Sequence, residues 1–284
     1  MKHQLIFKFI LLTFVCVSCE KEINVTLPPY DTKLVVNGEL NNESEISLQV
    51  SKSISILTNS DSTGYLLNNA IVNIYENNTL LGTGTYFSGK YEFNFKPQVG
   101  RIYEIRASHP NYTAVNAVVT MPKSLSFNST FIDSIGLDNV GLKVGQLTLN
   151  INDDGNETNY YQLLIKYYNP GFLEWFPFDF VSNDEEFINN TKLNDGSYLF
   201  SDTRFNGRTK TFRFEVPFGL ATGTPKFEVS IKSIGADFYE YINQTNEYNQ
   251  TGTGFIPNPI ILKSNVTNGL GMIGGVINQR DTIK

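Results

Sequence analysis

The sequence is poor in the side chains that do most metal and nucleophilic chemistry. Its 284 residues hold 2 cysteines, 2 histidines and 1 tryptophan. Cys16, Cys19 and His3 all lie within the first nineteen positions. The rest of the chain therefore has no thiol, which excludes disulfides, cysteine-ligated zinc and thiol nucleophiles there. A Ser-His-Asp arrangement would have to use His109, and a histidine-rich metal site cannot be assembled. Positive charge is scarce too, with 22 Lys+Arg against 28 Asp+Glu. An acidic surface repels phosphate backbones, so no nucleic-acid partner is expected.

The first segment reads as processing rather than structure. Lys2 and Lys8 precede the nearly all-apolar run from Phe9 to Val17, and no acid comes before Glu20. A charged start, a short apolar run and a small residue before a cut describe a secretory signal. The run is far below the roughly 20 residues that a membrane span needs. Val17-Ser18-Cys19 resembles the lipobox of bacterial lipoproteins, in which the cysteine sulfur takes a diacylglycerol and cleavage falls just before it. Cys16 suits that role less because bulky Val15 precedes it, and ordinary cleavage would leave Cys19 a free thiol. Acyl chains at about 0.8 kcal/mol per buried methylene give stable anchoring. Loss of Lys2 and Lys8 leaves 20 basic residues against 28 acidic ones, a balance of −8.

Residues 19–31, with Leu27-Pro28-Pro29, read as a tether. Beyond it apolar residues alternate with polar ones: Ile46, Leu48, Val50; Tyr91, Phe93, Phe95; Tyr103, Ile105, Ala107; Val115, Ala117, Val119. Period 2 marks half-buried strands, and Asn68-Asn69, Asn77-Asn78, Ser88-Gly89 and Pro97–Gly100 supply turns between them. About seven strands between Lys33 and Met121 predict a transthyretin- or immunoglobulin-like β-sandwich over 32–122. Met121-Pro122-Lys123-Ser124 breaks the pattern. Residues 123–284 are expected to form a second β-rich domain, with strands around Leu147–Ile151, Tyr160–Tyr168, Phe212–Val216 and Phe227–Ile231. One short helix is expected over Ala236–Tyr248, where Phe238, Tyr241 and Ile242 share a face. The tail from Gly252 offers only short strand-like pieces such as Ile260–Leu262. The fold class is thus all-β, in two sandwich-like domains.

Several segments together carry a family resemblance. They are Cys19-Glu20-Lys21-Glu22, Lys33-Leu34-Val35-Val36-Asn37-Gly38, Asn159-Tyr160-Tyr161, Ser201-Asp202 with Phe205-Asn206-Gly207, Asp237-Phe238-Tyr239, and Ser264-Asn265-Val266-Thr267-Asn268-Gly269-Leu270-Gly271. In this order the chain resembles, over nearly its whole length, the Bacteroidota lipoproteins classed as domain of unknown function 4249. Asn69–Val72 through Val99–Tyr103 is similar to transthyretin-like and carboxypeptidase-regulatory-like sandwiches. The family resemblance implies an outer-membrane lipoprotein, often found beside TonB-dependent transporters, and it brings no catalytic residues. Glu20, Lys21 and Glu22 look like the export signal that sends such lipoproteins to the cell exterior; a soluble linker is the plainer reading.

Other motifs are weaker. Gly269-Leu270-Gly271-Met272-Ile273-Gly274 has dinucleotide-fingerprint spacing, but only ten residues follow and no βαβ unit fits. Asn150–Gly155 resembles the opening of a calcium loop, yet Tyr161 stands where a bidentate Glu is required. Turn chemistry at Asp154-Gly155 explains it instead. No metal and no cofactor are expected. His109, before Pro110, reads as an exposed turn residue. Asp184-Glu185-Glu186 offers paired carboxylates for glycoside hydrolysis, though adjacent acids also describe a solvated loop. Asp61-Ser62-Thr63, Asp133-Ser134-Ile135 and Asp281-Thr282-Ile283 are similar to the O-glycosylation signal of this phylum, making Ser62, Ser134 and Thr282 candidates.

Tyr167–Phe187 is the richest segment in aromatics and contains the sole tryptophan. Phe172, Trp175, Phe176 and Phe178 are candidate recognition residues because exposed aromatics anchor interfaces. The rival reading folds the same segment over the second sandwich to close its core. The resulting expectation is a surface-exposed, non-enzymatic binding accessory of a TonB-dependent transporter, lipid-anchored at Cys19. The alternatives are a structural or assembly lipoprotein and a hydrolase.

Overall fold

Alternating apolar residues become strands here because each strand buries one face. The computed structural model describes residues 30–55, 64–180, 182–188, 192–217, 226–251 and 261–283. The first eight strands are β1 (Leu34–Asn41), β2 (Ser47–Lys52), β3 (Ile71–Glu76), β4 (Thr79–Thr83), β5 (Thr85–Phe87), β6 (Lys90–Glu92), β7 (Ile102–His109) and β8 (Tyr112–Thr120). Asn77 and Asn78, with φ of 49° and 62°, turn β3 into β4. Both lie in the left-handed region that two-residue hairpins require, and asparagine tolerates it.

The second group comprises β9 (Ser126–Leu137), β10 (Lys143–Asn152), β11 (Tyr160–Asn169), β12 (Glu174–Pro177), the short helix α1 (Glu185–Ile188), β13 (Tyr198–Ser201), β14 (Thr209–Pro217) and β15 (Phe227–Ile234). Helix α2 (Ala236–Thr251) and strands β16 (Val266–Thr267) and β17 (Ile273–Ile283) complete the chain. The fold is all-β, and the predicted helix extends to Thr251. Two expectations change. The described residues contain a second helix, α1. The Asn- and Gly-rich tail ends in an eleven-residue strand, β17, rather than in short pieces; Ile261 and Leu262 lie outside any strand.

Two sandwiches share one sheet. Among the described residues a nine-stranded sheet runs β12-β11-β15-β17-β1-β2-β6-β5, with β13 also on β11. A five-stranded sheet, β16-β8-β7-β3-β4, covers its β1–β2 end, and a three-stranded sheet, β14-β10-β9, covers its β11–β15 end. Leu34, Val36, Leu48 and Val50 meet Val72, Ile74, Ile105 and Val119 in the first core. Leu163, Ile165, Val229 and Ile231 meet Leu147, Leu149, Phe212 and Phe214 in the second.

The chain passes between the cores at Met121–Leu125, since Met121 packs in the first and Leu125 in the second. It then returns: Val266, Ile273 and Ile277 belong to the first core. From Thr32 onward the protein is one compact unit. Strand β17 is the seam. Its start pairs in parallel with β1 (Gly38 opposite Ile273) and its remainder pairs antiparallel with β15 (Ile234 opposite Val276, Phe227 opposite Ile283). Helix α2 lies on the seam's outer face, where Phe238, Tyr239 and Ile242 pack on Leu199, Ile234 and Val276. Gly274 permits that seat, because a Cβ there would stand 2.4 Å from the Phe238 ring.

Candidate functional site

The aromatic segment divides between core and surface. In β11, Tyr161, Leu163 and Ile165 face the core, and β12 continues the alternation: Phe176 lies beside Tyr167 on the inner face and Trp175 beside Tyr168 on the outer face. Phe178 is buried against Phe227 and Tyr167, so it is a core residue and leaves the recognition set. Phe176 is half-buried and sits beneath Phe172. The apex is open: Phe172 is 71% exposed, Leu173 74% and Trp175 37%. Leu173 has φ 56°. That left-handed conformation costs a non-glycine residue about 1–2 kcal/mol, and such strain clusters at binding sites.

A second apolar apex, invisible to the sequence reading, lies at the same pole. Tyr167 pairs with both Phe176 and Phe227, and Phe227 pairs with Ile283, so β11 and β17 end where β12 and β15 begin. Phe131 lies 5.0 Å from Phe227 across the core, which brings the outer half of β9 and the β9–β10 turn to this pole. There Leu137 and Val140 are 68% and 77% exposed, and Ile132, Ile135 and Leu142 are exposed as well. The turn is well built. Asp138 Oδ1 accepts the Val140 and Leu142 amides at 2.9 and 2.8 Å, so its apolar side chains are presented outward from a fixed backbone. Soluble proteins rarely cluster exposed aliphatic groups without a use for them.

At the opposite end of the second sandwich two of the resemblance-carrying segments, Asn159–Tyr161 and Ser201–Gly207, converge. Asp153 Oδ1 accepts from Tyr161 Oη at 2.9 Å and Asp153 Oδ2 from Gly207 N at 2.8 Å. Asp202 is fully buried, its Oδ2 accepts Asn159 N at 2.8 Å, and its Oδ1 has no hydrogen-bond partner. The Asn159 side-chain amide lies between the two acids; with its nitrogen inward it donates to Asp153 Oδ1 and Asp202 Oδ2, each at 3.2 Å. Burial pushes the Asp202 carboxyl up to about 6, against the pull of the Asn159 amide and with help from the Asp153 charge. Burial, and then the Asp153 bond, likewise raises the Tyr161 hydroxyl. A cavity of about 180 Å³ adjoins, lined in part by Asp154, Glu157, Asn159 and Tyr161.

The remaining candidates resolve one by one. His109 is buried, not exposed: its Nδ1 accepts Asn111 N at 3.2 Å, so Nε2 carries the proton toward Asn69 Oδ1 at 2.8 Å, and Tyr112 packs on the ring. A turn that tucks inward explains the change. Asp184-Glu185-Glu186 is no free loop. Asp184 caps α1 through Glu186 N and pairs with Lys210 at 2.8 Å, while buried Glu186 pairs with Arg204 at 3.6 Å. Gly271, with φ 116°, lies so close to β1 that a Cβ would stand 2.1 Å from the Val36 carbonyl oxygen. The glycine spacing over 269–274 serves strand contact. Ser134 and Thr282 are exposed. Cys19, Glu20, Lys21, Glu22 and Ser62 lie outside the described residues. Among the described residues no helix is long and apolar enough to cross a membrane, and no group of three or more His, Cys, Asp or Glu is placed to hold a metal ion.

Comparison with known proteins gives a family match over most of the chain. No curated protein matches the chain. A solved structure of a protein described as membrane anchored, from Corynebacterium diphtheriae, shares 12% identity at a TM-score of 0.22, over 74% of this chain and 56% of that one. This chain therefore spans just over half of that protein's solved length. A profile for a domain of unknown function, DUF4249, matches residues 20–281. Because that match takes in nearly every segment described above, the chain belongs to the DUF4249 family.

Proposed function

We propose that this protein is a lipid-anchored outer-membrane lipoprotein facing the cell exterior, a non-enzymatic binding accessory that associates with a TonB-dependent transporter. The observation that carries the reading is the pair of exposed apolar apices at one pole of the second sandwich. They sit on rigid supports, β11–β12 over Phe178 and the Asp138-fastened turn, which lowers the ordering cost of binding. Their position suits a tethered molecule. Leu34 lies four residues before Gly38, which is level with Ile273, and Ile283 lies ten residues beyond. At about 3.3 Å per residue the pole stands about 45 Å along the strands from where the chain enters the fold. An anchor at Cys19 would tether the molecule through the end at which the chain enters the fold.

The test is capture by the tagged full chain from solubilised membranes of its own host. Replacing Phe172, Leu173 and Trp175 together by alanine should leave the protein folded, with a melting temperature well above that of Phe178→Ala, and weaken capture of the transporter by about thirtyfold, the effect of about 2 kcal/mol at an interface anchor. Undiminished capture by the triple variant would remove the pole from the reading, and no transporter with the wild type would remove the accessory role.

A further inference from the structure

Half-buried Asp153 and fully buried Asp202 approach each other without a positive partner. Among the described residues no lysine, arginine or histidine forms an ion pair with either one; Lys123 instead pairs with Asp154 at 3.5 Å and Glu157 at 3.1 Å on the surface. The Asp153 charge opposes the ionised form of Asp202, and burial of Asp202 opposes it further. Asp202 is also fully buried with Oδ1 unpartnered, and a buried acceptor of this kind calls for an explanation. Meanwhile one atom of the Asn159 amide lies 3.2 Å from an oxygen of each acid.

Turned the other way, that amide presents its oxygen, 3.2 Å from a carboxylate oxygen of each acid. We propose that Asp153, Asp202 and the side-chain oxygen of Asn159 hold a hard divalent cation, with calcium as the natural occupant. Calcium bonds oxygen at about 2.3–2.6 Å, so adjacent ligands at right angles stand about 3.3–3.7 Å apart, whereas magnesium draws them to about 2.9 Å. The 3.2 Å spacing fits the larger ion after a shift of a few tenths of an ångström. Mixed carboxylate and amide donors in an irregular array also suit calcium, while magnesium demands a near-ideal octahedron. The adjoining cavity, walled by Asp154 and Glu157, reaches this cluster at Asn159 and Tyr161. With few protein ligands the site belongs to the weak class found outside cells, with a dissociation constant of about 10⁻⁴–10⁻³ M. Bound there, the ion fastens the turn after β10 to the turn after β13. No linear motif announces the site, because Asp153 and Asp202 come from separate turns.

Purified full chain, stripped with EDTA, is melted in EDTA, in calcium at about tenfold over the upper constant, and in sodium chloride of equal ionic strength. Calcium should raise the melting temperature by about 3–5 °C over EDTA, and sodium should not. Terbium bound in calcium's place should luminesce through Tyr161, whose hydroxyl touches Asp153, and calcium should quench that signal by displacement. Asp202→Asn should remove both effects. If that variant does not fold, Asp153→Asn carries the same expectation. Equal melting of the wild type in calcium and EDTA overturns the proposal, as does an undiminished calcium shift in a folded Asp202→Asn or Asp153→Asn protein. A wild type indifferent to metal but stabilised by acid would mean that the pair holds a proton instead, and that result also overturns it.

Discussion

Phe178→Ala and Trp175→Ala, three residues apart, should behave as though they belonged to different proteins. Phe178 is 7% exposed; its ring stands edge-on to Phe227 at 5.7 Å and to Tyr167 at 6.3 Å. Its removal leaves a cavity among side chains that strands on both sides hold in place, so the cost should approach that of other buried Phe→Ala changes, about 3–5 kcal/mol. For a chain of this size about 2–4 °C is lost per kcal/mol, which predicts a fall of about 10 °C in melting temperature. Trp175 touches the ring of Tyr168 at 5.4 Å and is otherwise open on one side. An edge-to-face pair contributes about 0.5–1.5 kcal/mol, so Trp175→Ala should cost less than about 5 °C. Far-UV circular dichroism follows both variants; in Phe178→Ala the sole tryptophan gives a second, fluorescent report from the apex. Equal losses in the two variants would refute the reasoning, because Trp175 would then be packed as tightly as Phe178 and the apex would offer no free surface.

Gly271→Ala should cost about 3 kcal/mol through left-handed strain and the loss of the paired backbone bonds that Leu270 makes with Leu34 and Val36, both 2.9 Å, whereas Gly141→Ala, equally left-handed but with nothing near it, should cost about 1 kcal/mol; urea unfolding compares them. For the anchor, mass spectrometry of protein from its own host should find the N-terminal peptide beginning at Cys19 and carrying acyl mass, and Cys19→Ser should move the protein into the soluble fraction. Peptides holding Ser62, Ser134 and Thr282 should carry glycan mass; if all three appear unmodified, that expectation is withdrawn.

Much of the strand content was legible because alternation and burial are the same fact seen twice. Leu147, Leu149 and Ile151, or Phe227, Val229 and Ile231, can alternate only if one face is buried, and each set lies in a core. The aromatic segment was ambiguous because Trp175 and Phe178 are chemically alike; opposite faces of one short strand and the chain just beyond it separate them, and only the register of β12 on β11 shows which is which. The β9–β10 apex escaped notice because its aliphatic residues project from a hairpin with no packing partner among the described residues, so they followed no core rhythm. Asp202 escaped for a different reason: its meaning depends on Asp153, which the fold, and not the spacing, places beside it. His109 looked like an exposed turn residue because sequence does not tell whether a turn curls toward solvent or back over its own hairpin.

Strand β17 has a consequence for how the molecule comes into being. The residues that join β1 to β15 come more than two hundred positions after β1, and until they pair neither half of the long sheet has its neighbour. Contacts between positions more than two hundred residues apart, such as Met272 N to Asn37 Oδ1, make this a topology that closes late and slowly. Placing the closing strand so far along the sequence from β1 works like a clasp that cannot fasten before the chain between them is made.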